Sequence, residues 1–98
     1  MQRDKVITAL REYKPELRAA GIVRLSLFGS TARDEARAES DIDLLAAFDA
    51  THEFSLLDII RLENRLADLL GQPVDLIEEG TLRPRARQSV SREVVRAF

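Results

Sequence analysis

The segments Phe28-Gly-Ser-Thr-Ala-Arg33 and Ser40-Asp-Ile-Asp-Leu-Leu45 decide the predicted fold of this chain. The first segment ends an apolar, β-rich run, residues 22–28, and its glycine and serine predict a tight turn with one or two helical turns. The second opens another strand, residues 41–48, with carboxylates at alternate positions. Groups that bind anions and groups that bind cations therefore stand at adjoining ends of two predicted strands.

An amphipathic helix is predicted before the first strand. Apolar residues recur at intervals of three and four over residues 4–20, with Asp4 as the expected N-cap. Pro15 should break or kink this helix near Lys14, and Gly21 should close it at positive φ. In the strand that follows, Val23 is expected to share a face with Leu25 and Leu27.

A longer helix is predicted over residues 55–70. Ser55 and Asp58 resemble a capping box at its start, and Gly71 follows its end. Its apolar stripe is expected to pack on the chain's own sheet and consists of Leu56, Ile59, Ile60, Leu62, Leu66, Leu69 and Leu70. A third strand, residues 73–77, should run parallel to strand 41–48 because a helix connects the two.

The whole chain, residues 1–98, is predicted to be one α/β (α+β) domain, a small mixed β-sheet flanked by helices. At 98 residues it is too short for two cores of ordinary size. It has no cysteine and a single histidine, His52, which excludes disulfide scaffolds, thiolate zinc sites and histidine-rich metal centres. With no long apolar run and no secretory leader, the predicted location is the cytoplasm, and no membrane contact is expected.

Charge is distributed unevenly along the chain. The net charge of −2 gives no overall attraction to nucleic acid, and direct nucleic-acid binding is not expected to be its role. Residues 1–80 carry −6, whereas the 18 residues after Gly80 carry +4 from Arg83, Arg85, Arg87, Arg92 and Arg96 against Glu93. Three interpretations of this tail stay open: a solvated helix face, a surface for a protein partner, and a nucleic-acid contact.

Three carboxylates are predicted to converge. Asp41 and Asp43 leave the same face of their strand, about 7 Å apart along the backbone. Asp75, on the parallel neighbour, can supply a third carboxylate. Such a cluster repels itself unless cations neutralise it, and oxygen ligands of this kind suit Mg²⁺.

The Gly29-Ser30 turn is predicted to bind phosphate. Gly29 allows close approach of the backbone, the Ser30 hydroxyl can donate to a phosphate oxygen, and Arg33 can neutralise remaining charge. A surface ion pair between Arg33 and Glu35 is the alternative for the arginine. A phosphate-binding turn that faces a carboxylate cluster is typical of phosphoryl or nucleotidyl transfer.

These residues resemble a known family. Gly29-Ser30, ten intervening residues and Asp41-Ile42-Asp43 are similar to the GS-x10-DxD signature of the DNA polymerase β-like nucleotidyltransferases, in particular their minimal nucleotidyltransferase (MNT) branch. The resemblance covers nearly the whole chain. It implies the antitoxin half of a HEPN–MNT toxin–antitoxin pair, which transfers AMP from ATP to a tyrosine of the HEPN ribonuclease.

The resemblance also implies a role for each site residue. Gly29 and Ser30 would hold the triphosphate, Asp41 and Asp43 would bind two Mg²⁺ ions, and Asp75 would be the third catalytic carboxylate, placed to activate the acceptor hydroxyl. One position departs from the pattern, because Asp34 stands where many members have glycine. Asp tolerates the left-handed conformation, so the turn is expected to survive, although the charge of Asp34 should weaken ATP binding.

Other functions follow if the site is inactive or the acceptor is different. The main rival is a catalytically weak antitoxin that neutralises its toxin by steric binding. Transfer to a small molecule, such as an aminoglycoside, is a third hypothesis, which the sequence does not favour because no second domain for such an acceptor is evident. The acceptor is therefore expected to come from a heteromeric partner.

Overall fold

Helices and strands alternate along most of the chain. The structure, a computed structural model, describes residues 2–34, 41–51, 54–81 and 94–98. Its elements, in chain order, are α1 (Arg3–Glu12), α2 (Lys14–Ala19), β1 (Ile22–Leu27), α3 (Gly29–Ala32), β2 (Ile42–Phe48), α4 (Leu56–Leu70), β3 (Val74–Glu78), a 3₁₀ turn (Glu79–Thr81) and β4 (Val95–Arg96). Several residues discussed above lie outside the described ranges: Glu35, Ser40, His52, Arg83, Arg85, Arg87, Arg92 and Glu93.

The predicted first helix is divided in two, as the proline suggested. The break falls at Tyr13, and Pro15 lies in the first turn of α2, where its missing N–H is not needed. The prediction of Asp4 as N-cap was wrong, because the N-cap is Gln2 and Asp4 lies inside the first turn of α1. Gly21 has φ 104°, which confirms the expected left-handed residue.

Within the described ranges, the strands form one mixed sheet in the order β3-β2-β1-β4. β1 is antiparallel to both β2 and β4. β2 is parallel to β3, which confirms the one pairing that the sequence predicted. The expectation for Val23 was wrong, because an irregularity in register between Ile22 and Arg24 turns Val23 outward, where it is 45% exposed. The fold class, a mixed sheet with helices, is confirmed.

The fourth strand joins the sheet from the end of the cationic tail. Arg96 pairs with Ser26, and the Leu25 main chain exchanges hydrogen bonds with Ala97 and Phe98. Ala97 and Phe98 are buried in the core. The last residues are therefore part of the sheet, and the interpretation of the tail as a solvated helix face is wrong for Arg96.

Helix α4 begins and ends as the sequence predicted. The Ser55 hydroxyl accepts from the Asp58 N–H at 3.2 Å, the Asp58 carboxylate accepts from the Ser55 N–H at 3.0 Å, and Gly71 ends the helix at φ 71°. The Glu63 carboxylate also accepts the Leu76 N–H of β3 at 3.0 Å.

The apolar stripe of α4 is only partly buried in the core. Leu62, Leu66 and Leu70 are buried, whereas Leu56 is 77% exposed and Ile60 43% exposed. The prediction that the whole stripe packs on the sheet was therefore wrong at its N-terminal end. No helix in the described part of the chain is long and apolar enough to cross a membrane.

Candidate active site

Two of the predicted carboxylates are neighbours across the parallel strand pair. Asp43 of β2 and Asp75 of β3 are register partners, so their side chains leave the same face of the sheet about 4.8 Å apart in the hydrogen-bonding direction. Asp41 comes immediately before β2, two residues from Asp43, and is exposed, as is Asp75. The structure thus brings Asp43 and Asp75 together, and Asp41 lies close enough to influence Asp43 electrostatically.

The Gly29 turn packs directly against one of these carboxylates. Gly29 has φ 61°, and a Cβ at this position would lie 2.8 Å from Oδ2 of Asp43. Any side chain would therefore be strained in its backbone, and the Asp43 carboxylate would have to move to make room for its Cβ. The left-handed backbone and the close contact with Asp43 both favour glycine at this position.

The same turn also holds the main chain of Asp43. The Asp43 carbonyl accepts the Phe28 N–H at 3.1 Å, and the Asp43 N–H donates to Oγ1 of Thr31 at 3.1 Å. Thr31 is 1% exposed. Thr31 was missed as a site residue; the available signal was a β-branched hydroxyl residue directly after the Gly29-Ser30 pair.

The carboxylates affect one another electrostatically. Burial, followed by the negative charges of Asp75 and Asp41, raises the pKa of Asp43 above its ordinary value, and the positive charge of Arg33 opposes this rise. Negative charge is therefore in excess at Asp43, which favours a cation ligand. Arg33 follows α3 and is exposed, while Ser30 lies within α3 and is half-buried.

Asp34 adopts the left-handed conformation that was expected of it, with φ 58°. Its Oδ1 accepts the backbone N–H of Arg3 at 2.9 Å, at the start of α1. The partial positive charge of a helix N-terminus offsets a carboxylate. The charge of Asp34 is thus partly compensated by α1, which reduces its expected effect on a bound nucleotide.

The donor set fits a magnesium ion that is shared with a phosphate group. In the described part of the chain, no three acidic or histidine side chains are arranged as a cage for one metal ion. Mg²⁺ in nucleotide enzymes is commonly bound by one or two carboxylates, with water and substrate phosphates completing its shell. Neighbouring carboxylates with an excess of negative charge at Asp43 match that chemistry.

Comparison with known proteins places the chain in a family. The sequence model of the nucleotidyltransferase domain matches residues 3–97. The chain belongs to the nucleotidyltransferase family. The resemblance inferred from the GS-x10-DxD pattern is thereby confirmed, and the chain is assigned to the enzymes of this class.

Individual relatives agree with this assignment. The nucleotidyltransferase "Protein adenylyltransferase MntA" of Thermococcus cleftensis is 39% identical over 93 residues, which cover 94% of this chain and 92% of that protein. MJ0435 of Methanocaldococcus jannaschii is 38% identical over 85 residues, 87% of this chain and 89% of that protein. A solved minimal nucleotidyltransferase structure has a TM-score of 0.81 at 40% identity, over 97% of this chain and 95% of that chain.

A more distant likeness concerns a complex. A chain of the structure of the tri-AMPylated Shewanella oneidensis HEPN toxin with an MNT antitoxin has a TM-score of 0.62 at 22% identity. It covers 98% of this chain and 68% of that chain. At this identity, the likeness shows that the nucleotidyltransferase fold is shared.

Proposed function

We propose that this nucleotidyltransferase transfers AMP from ATP to a tyrosine hydroxyl of a partner HEPN toxin in a Mg²⁺-dependent reaction, and so acts as its antitoxin. The observation that carries the proposal is the register pair Asp43 and Asp75, with the Gly29 turn packed on the Asp43 carboxylate. The name of the T. cleftensis relative supports a protein acceptor, and the AMPylated toxin in the S. oneidensis complex supports a HEPN partner.

Each site residue has a proposed role in binding. Gly29 and Ser30 hold the triphosphate, and Arg33 compensates part of its charge. Asp41, Asp43 and Asp75 are the proposed ligands of two Mg²⁺ ions. Bound Mg²⁺ would neutralise part of the negative charge of the phosphates.

The proposed transfer is an in-line displacement. The acceptor oxygen forms a bond to the α-phosphorus while the bond from that phosphorus to the bridging oxygen of the β-phosphate breaks, and pyrophosphate leaves with the electron pair. The proton of the acceptor hydroxyl passes to the Asp75 carboxylate. Asp75 is exposed, so an acceptor presented from outside the chain can reach it.

A cationic cleft is the proposed contact for acidic groups of the partner. It has a volume of about 550 Å³ and is lined by Arg11, Lys14, Arg18, Arg96, Ala97 and Phe98. Nε of Arg11 donates to the Ala97 carbonyl at 2.7 Å, which fixes that guanidinium at the wall of the cleft. Arg96 of the tail and the basic residues of α1 and α2 therefore line the same cleft. This arrangement supports a contact with an acidic surface of a partner protein.

The rival, an antitoxin that acts only by steric binding, has weaker support from the structure than from the sequence. It rested on the charge of Asp34 beside a nucleotide site, and that carboxylate accepts a hydrogen bond at the start of α1. The two functions also differ in what a single substitution in the site should do. A loss of transfer is expected only if the chain is an enzyme.

The decisive experiment uses the purified chain, a HEPN protein as the candidate acceptor, ATP and Mg²⁺. Intact-mass measurement is expected to show addition of AMP to the HEPN protein, and Asp43→Asn should lower the transfer rate by at least ~100-fold. Asp68→Asn, which changes an exposed carboxylate of α4, is the matched control and should transfer normally. Binding to the HEPN protein without any AMP addition by the wild type would instead favour the steric antitoxin.

A further inference from the structure

Thr31 replaces a missing main-chain partner at the end of the β1–β2 ladder. The last pair of the ladder is Leu27 with Leu44, and one residue further on the Phe28 N–H still donates to the Asp43 carbonyl. The reciprocal bond, from the Asp43 N–H to the Phe28 carbonyl, is the one expected of an antiparallel pair. That carbonyl instead accepts the Ala32 N–H at 3.4 Å, because the chain has already turned into α3.

The Asp43 N–H is satisfied by a side chain of that same turn. Oγ1 of Thr31 accepts it at 3.1 Å, and Thr31 is almost completely buried. The Asp43 carboxylate meanwhile lies against Gly29, where even a Cβ would come within 2.8 Å of Oδ2. The segment Phe28 to Thr31 therefore contacts Asp43 at three groups: the backbone N–H, the backbone carbonyl and the side-chain carboxylate.

We propose that Thr31 is a positioning residue, whose hydroxyl fixes Asp43 relative to the Gly29-Ser30 turn. The turn and the first residues of β2 then act as one rigid unit, and the distance between the phosphate-binding turn and the cation-binding carboxylate is set by this contact. The effect on metal–nucleotide binding rests on the proposed function, whereas the effect on the Asp43 main chain does not.

Two substitutions separate the hydroxyl from the shape of the side chain. Thr31→Val keeps the volume and removes the acceptor, while Thr31→Ser keeps the acceptor and removes only a methyl group. Thr8→Val is a matched control, because the Thr8 hydroxyl also makes a main-chain hydrogen bond, to the Asp4 carbonyl at 2.9 Å, on the exposed side of α1.

The first measurement is amide hydrogen exchange of Asp43 by NMR. In the wild type and in Thr31→Ser, this amide is expected to exchange as slowly as the amides of central β2, and in Thr31→Val at least ~10-fold faster. The comparison needs no nucleotide and no partner. An Asp43 amide that exchanges rapidly in the wild type overturns the proposal, and this test holds even if Thr31→Val does not fold.

The second measurement is Mn²⁺ affinity in the presence of AMP-PNP, followed by electron paramagnetic resonance. Thr31→Val is expected to weaken Mn²⁺ binding by about 10- to 100-fold, the usual effect of losing a group that orients a metal ligand. Thr31→Ser and Thr8→Val should stay within about threefold of the wild type. Equal affinity in Thr31→Val and wild type overturns the positioning role.

The two measurements distinguish failure of the proposal from failure of the proposed function. If the wild type binds no Mn²⁺ with AMP-PNP but protects the Asp43 amide through Thr31, the proposed nucleotide chemistry fails and the Thr31 contact stands. If the wild type binds Mn²⁺ and AMP-PNP while Thr31→Val changes neither measurement, the nucleotide site stands and the role of Thr31 fails.

Discussion

Asp43 carries an electrostatic cost in the metal-free protein. Its pKa is raised in the folded chain by burial and by the charges of Asp75 and Asp41. A carboxyl group whose pKa is higher in the folded than in the unfolded state binds more protons when folded, so it lowers stability as pH rises from the unfolded pKa through the folded one. Above that range the cost is fully present.

We therefore expect Asp43→Asn to raise the melting temperature of the metal-free protein at pH 7. The gain should shrink as pH falls towards the ordinary Asp value of 3.8, where the wild-type carboxyl is also protonated. Thermal unfolding with EDTA over a pH series measures this, with Asp68→Asn as the control for loss of one exposed charge. A lower melting temperature for Asp43→Asn at pH 7 would contradict the prediction.

Asp34 combines two local features that mutations can separate. It has φ 58° and accepts the Arg3 N–H at the start of α1. Asp34→Ala loses the acceptor and keeps the unfavourable φ, so it should lower the free energy of unfolding by about 1–3 kcal/mol. Asp34→Asn keeps an acceptor and tolerates this φ, so its cost should be less than about 1 kcal/mol. Urea unfolding of the two variants checks the order, and equal stability would show that neither feature matters.

The spacing of single residues predicted where part of the candidate site lies in the sheet. Asp41, Asp43 and Asp75 could be found because alternation along a strand and parallel pairing are simple periodic rules. For Thr31 the sequence offered only its place after Gly29-Ser30, because its contact with the Asp43 N–H depends on where the chain leaves β1. The Arg3 contact of Asp34 joins residues far apart in sequence, and no local pattern predicts it.

At the scale of elements, α4 is divided into a buried part and an exposed start. Leu66 is fully buried, whereas Leu56 in the first turn is 77% exposed. Leu66→Ala should lower the free energy of unfolding by about 2–5 kcal/mol, because it removes core packing and leaves a cavity. Leu56→Ala should change it by less than about 0.5 kcal/mol. Chemical denaturation distinguishes the two variants. A large loss of stability in Leu56→Ala would contradict the prediction, because it would mean that the Leu56 side chain packs against the rest of the protein.

Elements with local sequence signals were predicted, including the short α3 and β3, whereas β4 and the irregularity in β1 were not. α4 has fifteen residues, a capping box and a terminal glycine, so several signals agree. β4 has two residues, too few to show any alternation, and its place depends on pairing with β1. The outward turn of Val23 follows from a register irregularity in β1, which alternation alone cannot reveal.

At the scale of the whole molecule, the cationic cleft should govern association with an acidic partner surface. The double variant Arg18→Glu and Arg96→Glu should slow binding to the HEPN protein by at least ~10-fold at low salt, and by less at high salt. Surface-based kinetics give the on-rate, and calorimetry should show unchanged nucleotide affinity. Lys5→Glu, at an exposed position of α1 outside the cleft, is the control. An unchanged on-rate in the double variant would exclude the cleft as the contact.

The pairing of β1 with β4 also bears on the order in which the chain folds during synthesis. Leu25 lies near the start of the chain, yet its main-chain groups bond to Ala97 and Phe98. Local contacts such as those within α4 can form as soon as their residues leave the ribosome, whereas this edge of β1 waits for residues synthesised much later. Until then β1 has an unpaired edge, so a nascent chain stalled before residue 94 should be markedly more prone to aggregate than a chain that includes residues 94–98.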